Sequence, residues 1–529
     1  ALTGSGGITK TGAGTLALTN AITSSGNVTV SGGSLSTNRN NYNGAVLVEG
    51  AGSVLTLAHG SNSRRVGNSG TGLLTVSGGG AVISTGTSTL AALNMGYGGV
   101  GTATITGLGS TLTWSQHFHL GVNAGTGTLT VTDGATATFN GVNQSTFGGG
   151  GDSTGTLNLS GTGSALTVAA GIVMGNQGTG TVNIGAGATL SANYIWLSPN
   201  TGTGTINLNA GGTLIVSDAT STAISSGTAA GTVNLAGGTL KSNGTHSLTV
   251  SSNGTLAAST TSTVDTNGQS ATWSGVLAGS GALAKTGAGT LTLSGANTYT
   301  GTTTISAGTL ALGASGSLAS STITVANSAT FDASAPGGFT LGSGKTLSGT
   351  GTIIGPLTIA SGGTLSPGAS PGTLNAGATT FGSSGVFTFE VNNATGVSGT
   401  NYDLLALSGA LTITATSGSP FTLNLTSLTL GNIAGLAANF DSAANYSFTF
   451  ITTTGGISGF AADKFAVNTS SFQNPFTGTW SVAQSGNNLT LNYAGGASAI
   501  PEPSTYAAFA GAAMLGFAVL QRRQKARAL

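Results

Sequence analysis

The segment GTVNI at residues 180–184 is one copy of a short unit that returns along the chain, for example as GTATI at 101–105 and GTLTV at 127–131. Apolar and polar residues alternate in it, as expected for a strand with one buried face. Aligned copies place the same apolar residue every 24–29 positions, a period typical of solenoids and repeat arrays. The aligned residues are Val48, Val76, Ile105, Val131, Leu159, Ile184, Leu208 and Leu235.

Each repeat between residues 44 and 240 contains two more alternating segments. The second segment predicts an inward column of Ile83, Leu112, Ala137, Leu166, Leu190 and Leu214. The third predicts a column of Val66, Met95, Leu120, Phe147, Met174 and Leu197. About three strands per coil, stacked so that each column continues, would bury a core that no single coil can bury alone. The sequence therefore predicts an all-β fold, a parallel β-helix that spans residues 1–380.

Composition excludes several classes of function. The chain has 529 residues with 93 Gly, no Cys and only 4% charged side chains. These numbers leave few groups for acid–base chemistry and none for thiolate or Cys-ligated metal chemistry. Residues 1–500 hold 8 basic and 10 acidic residues, so nucleic acid is not an expected partner. The first residue is Ala1 and no signal segment follows, so we expect a removed signal peptide or a missing N-terminus.

A different repeat flanks this block. Residues 4–18 read GSGGITKTGAGTLAL, and residues 279–293 read GSGALAKTGAGTLTL, continuing as SGANTYTGTTTISAGTLAL to residue 312. The copy at 279–312 resembles the autotransporter-associated β-strand repeat through Asn297, Tyr299 and Gly308, whereas the first copy departs from the pattern after Asn20. The block at 44–240 resembles related repeats of autotransporter passengers and PEP-CTERM proteins. The resemblance implies a right-handed parallel β-helix in a surface-exposed or secreted bacterial protein.

The sequence changes character after the repeats. Pro367 and Pro371 lie in a turn-rich segment, 362–375, that predicts the end of the helix because proline cannot donate to a strand ladder. Residues 381–497 contain more aromatic residues and irregular spacing. We expect a β-rich, antiparallel C-terminal domain there that caps the solenoid, since an uncovered last coil would expose a strand edge.

The C-terminal segment, 501–529, carries a distinct pattern. Pro501, Glu502 and Pro503 precede an uncharged apolar run at about 505–520, and the basic residues Arg522, Arg523, Lys525 and Arg527 follow. The run is shorter than the ~20 residues that span a bilayer, so an interfacial helix is an alternative, but the basic end fits a single transmembrane helix. The arrangement resembles the PEP-CTERM sorting signal. That resemblance implies an exosortase-like sorting protease, an inner-membrane intermediate in a Gram-negative bacterium and delivery to the surface or extracellular matrix.

Two groups of residues are candidates for binding. His117 and His119 are two apart, a spacing compatible with a metal, but no third ligand is near in sequence and surface histidines are the expected interpretation. Trp114, Phe139 and Val168 take matching places in consecutive coils, as a sugar-stacking strip would. Their side chains are expected on the same face of the strand as the inward column, so stacking within the core is favoured. We therefore expect no metal site and no cofactor.

The carboxylates decide whether an enzyme is expected. A glycosidase needs two carboxylates about 5–9.5 Å apart. Glu49, Asp133, Asp152 and Asp218 fall at different points of the coil, so stacking does not bring them together. Arg64 and Arg65 are placed to flank a sugar acid, but a location in an exposed turn explains them as well. Lys10 and Lys285 occur at equivalent repeat positions, so a structural role is expected for both. No nucleotide, hydrolase or zinc-protease motif is present, so no catalytic residues are predicted.

The sequence thus predicts a non-enzymatic, exported surface or matrix protein of structural or adhesin-like type. Exopolysaccharide and other surface proteins are its expected contacts. The alternatives are a polysaccharide-acting β-helix enzyme and an autotransporter-type passenger adhesin.

Overall fold

The computed structural model describes residues 2–19, 22, 25–58, 60, 62–86, 88–216, 223–229, 231–368, 370–496 and 503–525, with side chains of the last segment given for 511–524. The fold is a parallel β-solenoid with one C-terminal α-helix. It divides into two compact units, residues 1–365 with 374–380 and residues 366–373 with 381–529.

Up to residue 279, the coils of the first unit contribute strands to three parallel sheets, as predicted. The anchor sheet contains Ile8–Lys10, Val28–Val30, Ala45–Glu49, Thr71–Ser77, Val100–Thr106, Thr126–Thr132, Thr154–Leu159, Thr179–Ile184, Thr203–Asn209, Thr232–Ala236, Gly254–Leu256 and Leu277–Gly279. After residue 279, smaller sheets take its place, formed by Ala296–Asn297 with Ser317–Leu318 and by Phe339–Leu341 with Leu357–Ile359.

The other two sheets follow the anchor sheet around the coil. The second sheet contains Thr15–Leu18, Ser34–Thr37, Val54–Leu57, Ala81–Ser84, Thr111–Trp114, Thr136–Phe139, Ala165–Val168, Thr189–Ala192, Thr213–Val216, Thr239–Lys241, Thr261–Asp265, Ala282–Thr286, Thr303–Ile305, Thr322–Val325 and Thr346–Gly349. The third contains Asn41–Tyr42, Arg64–Asn68, Leu93–Tyr97, Phe118–Val122, Ser145–Phe147, Ile172–Met174, Ile195–Leu197, Ile224–Ser226, Leu248–Val250, Ala271–Trp273, Thr290–Leu293, Thr309–Leu312, Thr330–Asp332 and Thr352–Ile354. Thr364–Pro367, Thr373–Ala376 and Thr379–Phe381 lie where the two units divide.

The strand register confirms the predicted columns with one exception. All eight anchor residues pair in sequence from Val48 to Leu235, and all six third-column residues pair from Val66 to Leu197. In the second column Val82, not Ile83, pairs with Leu112. Val82 is fully buried and Ile83 is 36% exposed. The prediction was wrong by one residue, which reverses the face of the strand.

The corner after the third strand is closed by glycine. Gly121 has φ of 63°, and a Cβ there would lie 2.1 Å from the carbonyl oxygen of Thr154 in the next coil. A side chain would therefore both strain the backbone and collide with the neighbouring strand. This close approach keeps successive coils in contact at that corner.

The outer face of the anchor sheet carries rows of hydroxyl and amide groups. Thr128, Thr156 and Thr181 are aligned in register, and the next outward position holds asparagine in four consecutive coils. Three of the four donate from Nδ2 to the asparagine Oδ1 of the preceding coil, Asn183 to Asn158 at 2.8 Å, Asn207 to Asn183 at 2.7 Å and Asn234 to Asn207 at 2.8 Å. These four residues, here termed the asparagine ladder, link the coils by side chains as well as by backbone.

The second unit was expected to be antiparallel, and for most of its strands this was wrong. Parallel pairs recur after the proline-containing segment, which therefore does not end the parallel coils. They are formed by Val386–Val391, Leu404–Leu407, Leu411–Ile413, Phe421–Ser427, Tyr446–Thr453, Ile457–Ser458 and Phe465–Ser471. Only the pairings of Asn488–Ala494, with Thr479–Ser485 and with Tyr446–Thr453, are antiparallel among the described ladders. The two-residue turn that contains Gly486 connects Thr479–Ser485 to Asn488–Ala494. A connection this short can join antiparallel strands but not parallel ones.

The C-terminal helix, Pro503–Lys525, extends beyond the predicted run of 505–520 at both ends. The side chains of residues 512–524 are exposed, including Met514, Leu515 and Phe517. Over the described residues, no helix has both the length and the apolar character that a membrane span requires.

Candidate functional site

The connections between the second and third sheets vary most from coil to coil. They comprise residues 58–63, 85–92, 115–117, 140–144, 169–171 and 193–194 in successive coils. In a solenoid, insertions in the repeats usually lie on one face, and that face is often the binding side. We call this edge the variable corner, and it contains two recessed regions.

The first recess is a cavity of about 540 Å³ at the N-terminal end of the variable corner. Its lining is polar and consists of Ile22, Ser25, Asn38, Arg39, Asn40, Asn41, Asn43, Ala58, Gly60, Asn62 and Arg64. Arg39 and Arg64 are only 3% and 2% exposed. Burial lowers the pKa of both guanidinium groups, because it penalises their charged forms.

Backbone and amide oxygens orient the two guanidinium groups. Arg39 donates from Nε to the carbonyl of Asn41 and from Nη1 to that of Gly26, both at 2.8 Å. Arg64 Nη1 donates to Asn40 Oδ1 at 2.5 Å and to the carbonyl of Asn62 at 3.1 Å, and its Nη2 donates to the carbonyl of Ala58. Arg64 Nε is buried and has no hydrogen-bond partner among the described residues. Arg65 Nε is likewise buried without a partner among the described residues, and its guanidinium lies 4.0 Å from the ring centroid of Tyr97. The guanidinium of Arg39 lies 4.8 Å from the ring centroid of Tyr42. Arg65 differs from Arg39 and Arg64 in that it lines neither recess.

The second recess is an open groove of about 510 Å³, lined by Leu90, His117, Val142, Asn143, Gln144, Thr146 and Tyr194. His117 was expected on the surface and is 7% exposed, so that prediction was wrong. The rings of His117 and His119 lie 4.9 Å apart, and His119 Nδ1 accepts the N–H of Thr146 at 3.1 Å. Burial lowers the pKa of His119 to about 3 and also lowers the pKa of His117. Within the described part of the chain, no three His, Asp or Glu side chains are grouped to hold a metal.

The aromatic residues suspected of stacking on sugar belong to the core. Trp114, Phe139 and Val168 pair in register and are at most 3% exposed. Trp114 Nε1 donates to the carbonyl of Ala91 at 3.3 Å. The core interpretation of this stack is confirmed.

The carboxylates of the first unit do not converge on a cleft. Glu49, Asp133 and Asp152 are exposed at separate points of the coil, and Asp218 lies outside the described residues. Asp133 accepts a hydrogen bond from the hydroxyl of Thr106 in the preceding coil at 2.9 Å.

Sequence reasoning missed a buried carboxylate in the second unit. Asp403 is fully buried, and its two oxygens accept the N–H groups of Gly372 at 2.9 Å and Glu390 at 2.8 Å. Burial raises the pKa of Asp403 well above its usual range, against the opposing effect of these bonds. Its contacts assign it to backbone support, and its position in a loop outside the repeat pattern gave no sequence signal.

Lys10 and Lys285 are structural, as predicted. Both side chains point inward, and Lys285 replaces the apolar residues Val264 and Ile305 of the adjacent coils. Lys285 Nζ donates to the hydroxyl of Thr266 at 3.1 Å and to the carbonyls of Thr286, Gly287 and Ala307 at 2.9, 2.7 and 3.1 Å. Lys10 Nζ donates in the same way to the carbonyls of Thr11, Gly12 and Gly32, at 2.8, 2.6 and 3.0 Å.

The other residues that carried the repeat resemblance are structural too. Asn297 Oδ1 accepts the N–H of Leu277 at 2.9 Å, and its Nδ2 donates to the carbonyls of Gly295 and Ser317 at 2.8 and 3.1 Å. Tyr299 is fully buried, with its hydroxyl 2.6 Å from that of Thr303. The motif thus ties each coil to the coils before and after it.

The predicted sorting motif is only partly within the structure. Pro501 and Glu502 lie outside the described residues, and Pro503 begins the helix. Arg522 and Arg523 are exposed on the last turns of that helix, the side chain of Lys525 is not described, and Arg527 lies outside the described residues.

The chain matches one family model over two short segments, and it also matches a solved structure. No curated protein matches the chain. A solved structure, a hyper-glycosylated fragment of TibA whose glycosylation was catalysed by TibC, matches with 14% identity and a TM-score of 0.17, covering 81% of this chain and 99% of that one. At that identity and TM-score the match says nothing about what this chain binds. Residues 8–36 and 283–312, which contain Lys10 and Lys285, match the model of the passenger-associated-transport-repeat family.

Proposed function

We propose that this protein is an exported, adhesin-like structural protein of the Gram-negative cell surface or extracellular matrix. The observation that carries the proposal is the match of two segments of the solenoid, residues 8–36 and 283–312, to the passenger-associated-transport-repeat family. The side chains of the repeat residues Lys285 and Asn297 link adjacent coils, so the family resemblance concerns the scaffold. Contacts with partners would then come from the outer surface.

The outer surface supports binding by many weak contacts. Rows of threonine and asparagine repeat at the spacing of adjacent strands, about 4.8 Å. Hydroxyl and amide groups both donate and accept hydrogen bonds, which suits the hydroxyls of an exopolysaccharide. Individually weak contacts add along such a surface, so affinity comes from the number of coils engaged.

The arrangement of acidic groups supports a binding role rather than hydrolysis of a polysaccharide. The described carboxylates of the first unit are scattered, and Asp403 is tied to two backbone N–H groups. No second function is favoured by a specific feature of the described residues.

The route to the surface is part of the same proposal and rests on the sequence pattern. Pro501, Glu502 and Pro503, the helix that follows, and the basic residues Arg522, Arg523, Lys525 and Arg527 have the arrangement of a PEP-CTERM signal. An exosortase-like protease would recognise the motif at the inner membrane and release the protein outward. Before processing, the basic cluster would remain on the cytoplasmic side.

Fractionation of the native host with intact-mass analysis tests both statements. We expect the protein in the surface or matrix fraction, with the tail beyond about Pro503 removed. Deletion of the candidate sorting protease should leave the intact tail in the inner-membrane fraction. A protein that stays in the cytoplasm would overturn the surface assignment, and an intact tail on the surface protein would overturn the sorting assignment alone.

A further inference from the structure

Two buried guanidinium groups in one cavity lack an acidic partner. Residues 1–132 contain Lys10, Arg39, Arg64 and Arg65 but a single carboxylate, Glu49. Glu49 is exposed at the end of an anchor-sheet strand, and the one ion pair among the described residues joins Lys241 and Asp265. Buried charges in proteins are usually paired, because removing them from water is costly. Among the described residues, no carboxylate forms an ion pair with Arg39 or Arg64.

The contacts of these arginines show oriented groups with donor capacity to spare. Each guanidinium has five N–H donors and stays charged in proteins. The Arg39 side chain donates two hydrogen bonds, to the carbonyls of Asn41 and Gly26, and that of Arg64 donates three, to oxygen atoms of Asn40, Asn62 and Ala58. Arg64 Nε has no partner among the described residues although it is buried. The fold therefore fixes both groups at the cavity without exhausting their donors.

The rest of the lining indicates what else the ligand carries. Five asparagines, Asn38, Asn40, Asn41, Asn43 and Asn62, surround the two arginines. The Oδ1 atom of Asn38 is buried and accepts no hydrogen bond from the described residues. Amides pair with hydroxyl groups as donor and acceptor, and about 540 Å³ is within the range of small-ligand sites. An anion that also bears several hydroxyls fits this lining better than a simple inorganic ion.

We propose that Arg39 and Arg64 form a binding site for the carboxylate of an acidic sugar, with the surrounding asparagines contacting the sugar hydroxyls. The carboxylate is planar and can accept two parallel N–H bonds from a guanidinium. This inference rests on the proposed contact with exopolysaccharide and names the sugar class that the N-terminal coils would recognise. Neither arginine has a counterpart in the other repeats, so the site occurs once in the solenoid and sets a preferred point of attachment.

The test is binding of sodium D-galacturonate to the full purified chain, measured by calorimetry at fixed ionic strength beside D-galactose and sodium sulfate. We expect saturable binding of galacturonate and at least tenfold weaker binding of galactose, which lacks the carboxylate. Equal binding of galactose would overturn the role of the arginines. Sulfate that binds as tightly as galacturonate and displaces it would overturn the sugar assignment, because an oxyanion alone would then suffice.

Three variants distinguish binding at this site from non-specific electrostatic attraction. Arg39→Gln and Arg64→Gln should each weaken galacturonate binding at least tenfold. Arg65→Gln is the matched control, because it removes the same charge from a group that stacks on Tyr97 outside the cavity, and it should leave binding unchanged. Equal loss in all three variants would overturn the proposal in favour of non-specific attraction.

The melting temperature of each variant without ligand is the control for folding. If a Gln variant does not fold, the wild-type chain decides: galacturonate should raise its melting temperature and galactose should not. Absence of that difference would overturn the inference. The result is independent of fractionation, so a surface protein that ignores galacturonate would refute this site and leave the proposed function standing.

Discussion

The coils around Lys285 and the coils around Arg64 bury a cation in different ways. The Lys285 ammonium is surrounded by four oxygen atoms of its own and adjacent coils, at 2.7 to 3.1 Å. Arg64 is equally buried, yet it borders a cavity and keeps an Nε without a partner among the described residues. A cation whose donors are all used by the fold holds the coil together. One that retains a donor beside a cavity is suited to a ligand.

Among the substitutions considered, Lys285→Met is expected to destabilise the folded chain most. The substitution leaves the carbonyls of Thr286, Gly287 and Ala307 buried without their donor, and we expect a loss of about 2–4 kcal/mol in the free energy of unfolding. Urea denaturation measures it. Lys345→Met is the control, because Lys345 donates to a single carbonyl, that of Leu318, and is only half-buried. Equal losses in both variants would contradict the distinction.

Asp403→Leu tests whether a buried carboxyl group follows the same rule as Lys285. The substitution removes the acceptor of the N–H groups of Gly372 and Glu390. We expect a loss of about 2–3 kcal/mol by urea denaturation, because buried donors would remain unpaired. Asp441→Leu, at an exposed turn, should cost much less. A stable Asp403→Leu chain would mean that these two bonds contribute little.

The pH dependence of stability sharpens the assignment of Lys285. Burial, opposed by Asp265, lowers its pKa to about 8, below the usual value of about 10.4 in an unfolded chain. Between pH 8 and about 10.4, Lys285 is more protonated in the unfolded chain than in the folded one. The free energy of unfolding therefore rises as pH rises through this range. From pH 8 to 10 we expect the wild type to gain about 1–2 kcal/mol relative to Lys285→Met. Parallel stability curves for the two proteins would refute the shift.

Arg64→Met is expected to have the smallest effect on the unliganded protein. Three hydrogen bonds are lost, but the cost of burying an unpaired charge disappears, and the open cavity lets water reach the released oxygens. We expect a change below about 1 kcal/mol in urea denaturation. A loss as large as that of Lys285→Met would make Arg64 a structural cation and remove the contrast between the two regions.

Most of the fold follows from sequence periodicity, and its errors have local causes. The anchor and third columns were predicted residue by residue because most of their inward positions are flanked by polar or small residues. The second column slipped at Ile83 because Val82 and Ile83 are both β-branched and apolar, so alternation cannot choose between them. The parallel pairs after residue 381 were missed because irregular loops hide the period there.

The periodicity of the repeats did not predict most of the candidate site. Arg39, Arg64 and His117 lie in or beside connections whose lengths differ from coil to coil, so no neighbouring repeat predicts their burial. One signal was available for the arginines: Glu49 is the only acidic residue in the first 132 positions. The asparagine ladder also left a signal, because asparagine takes the same place in the segments TLNL, TVNI, TINL and TVNL.

The asparagine ladder has a mechanical consequence. Its side-chain bonds, like those of the parallel backbone ladders, run along the stacking direction, so tension in that direction loads the junctions between coils in series. The weakest junction yields first and frees one coil, which between Leu159 and Leu235 is 24–27 residues. At ~3.3–3.6 Å per extended residue, each event releases about 80–95 Å of slack. A surface filament built this way would absorb shear as a sequence of small, separately recoverable extensions.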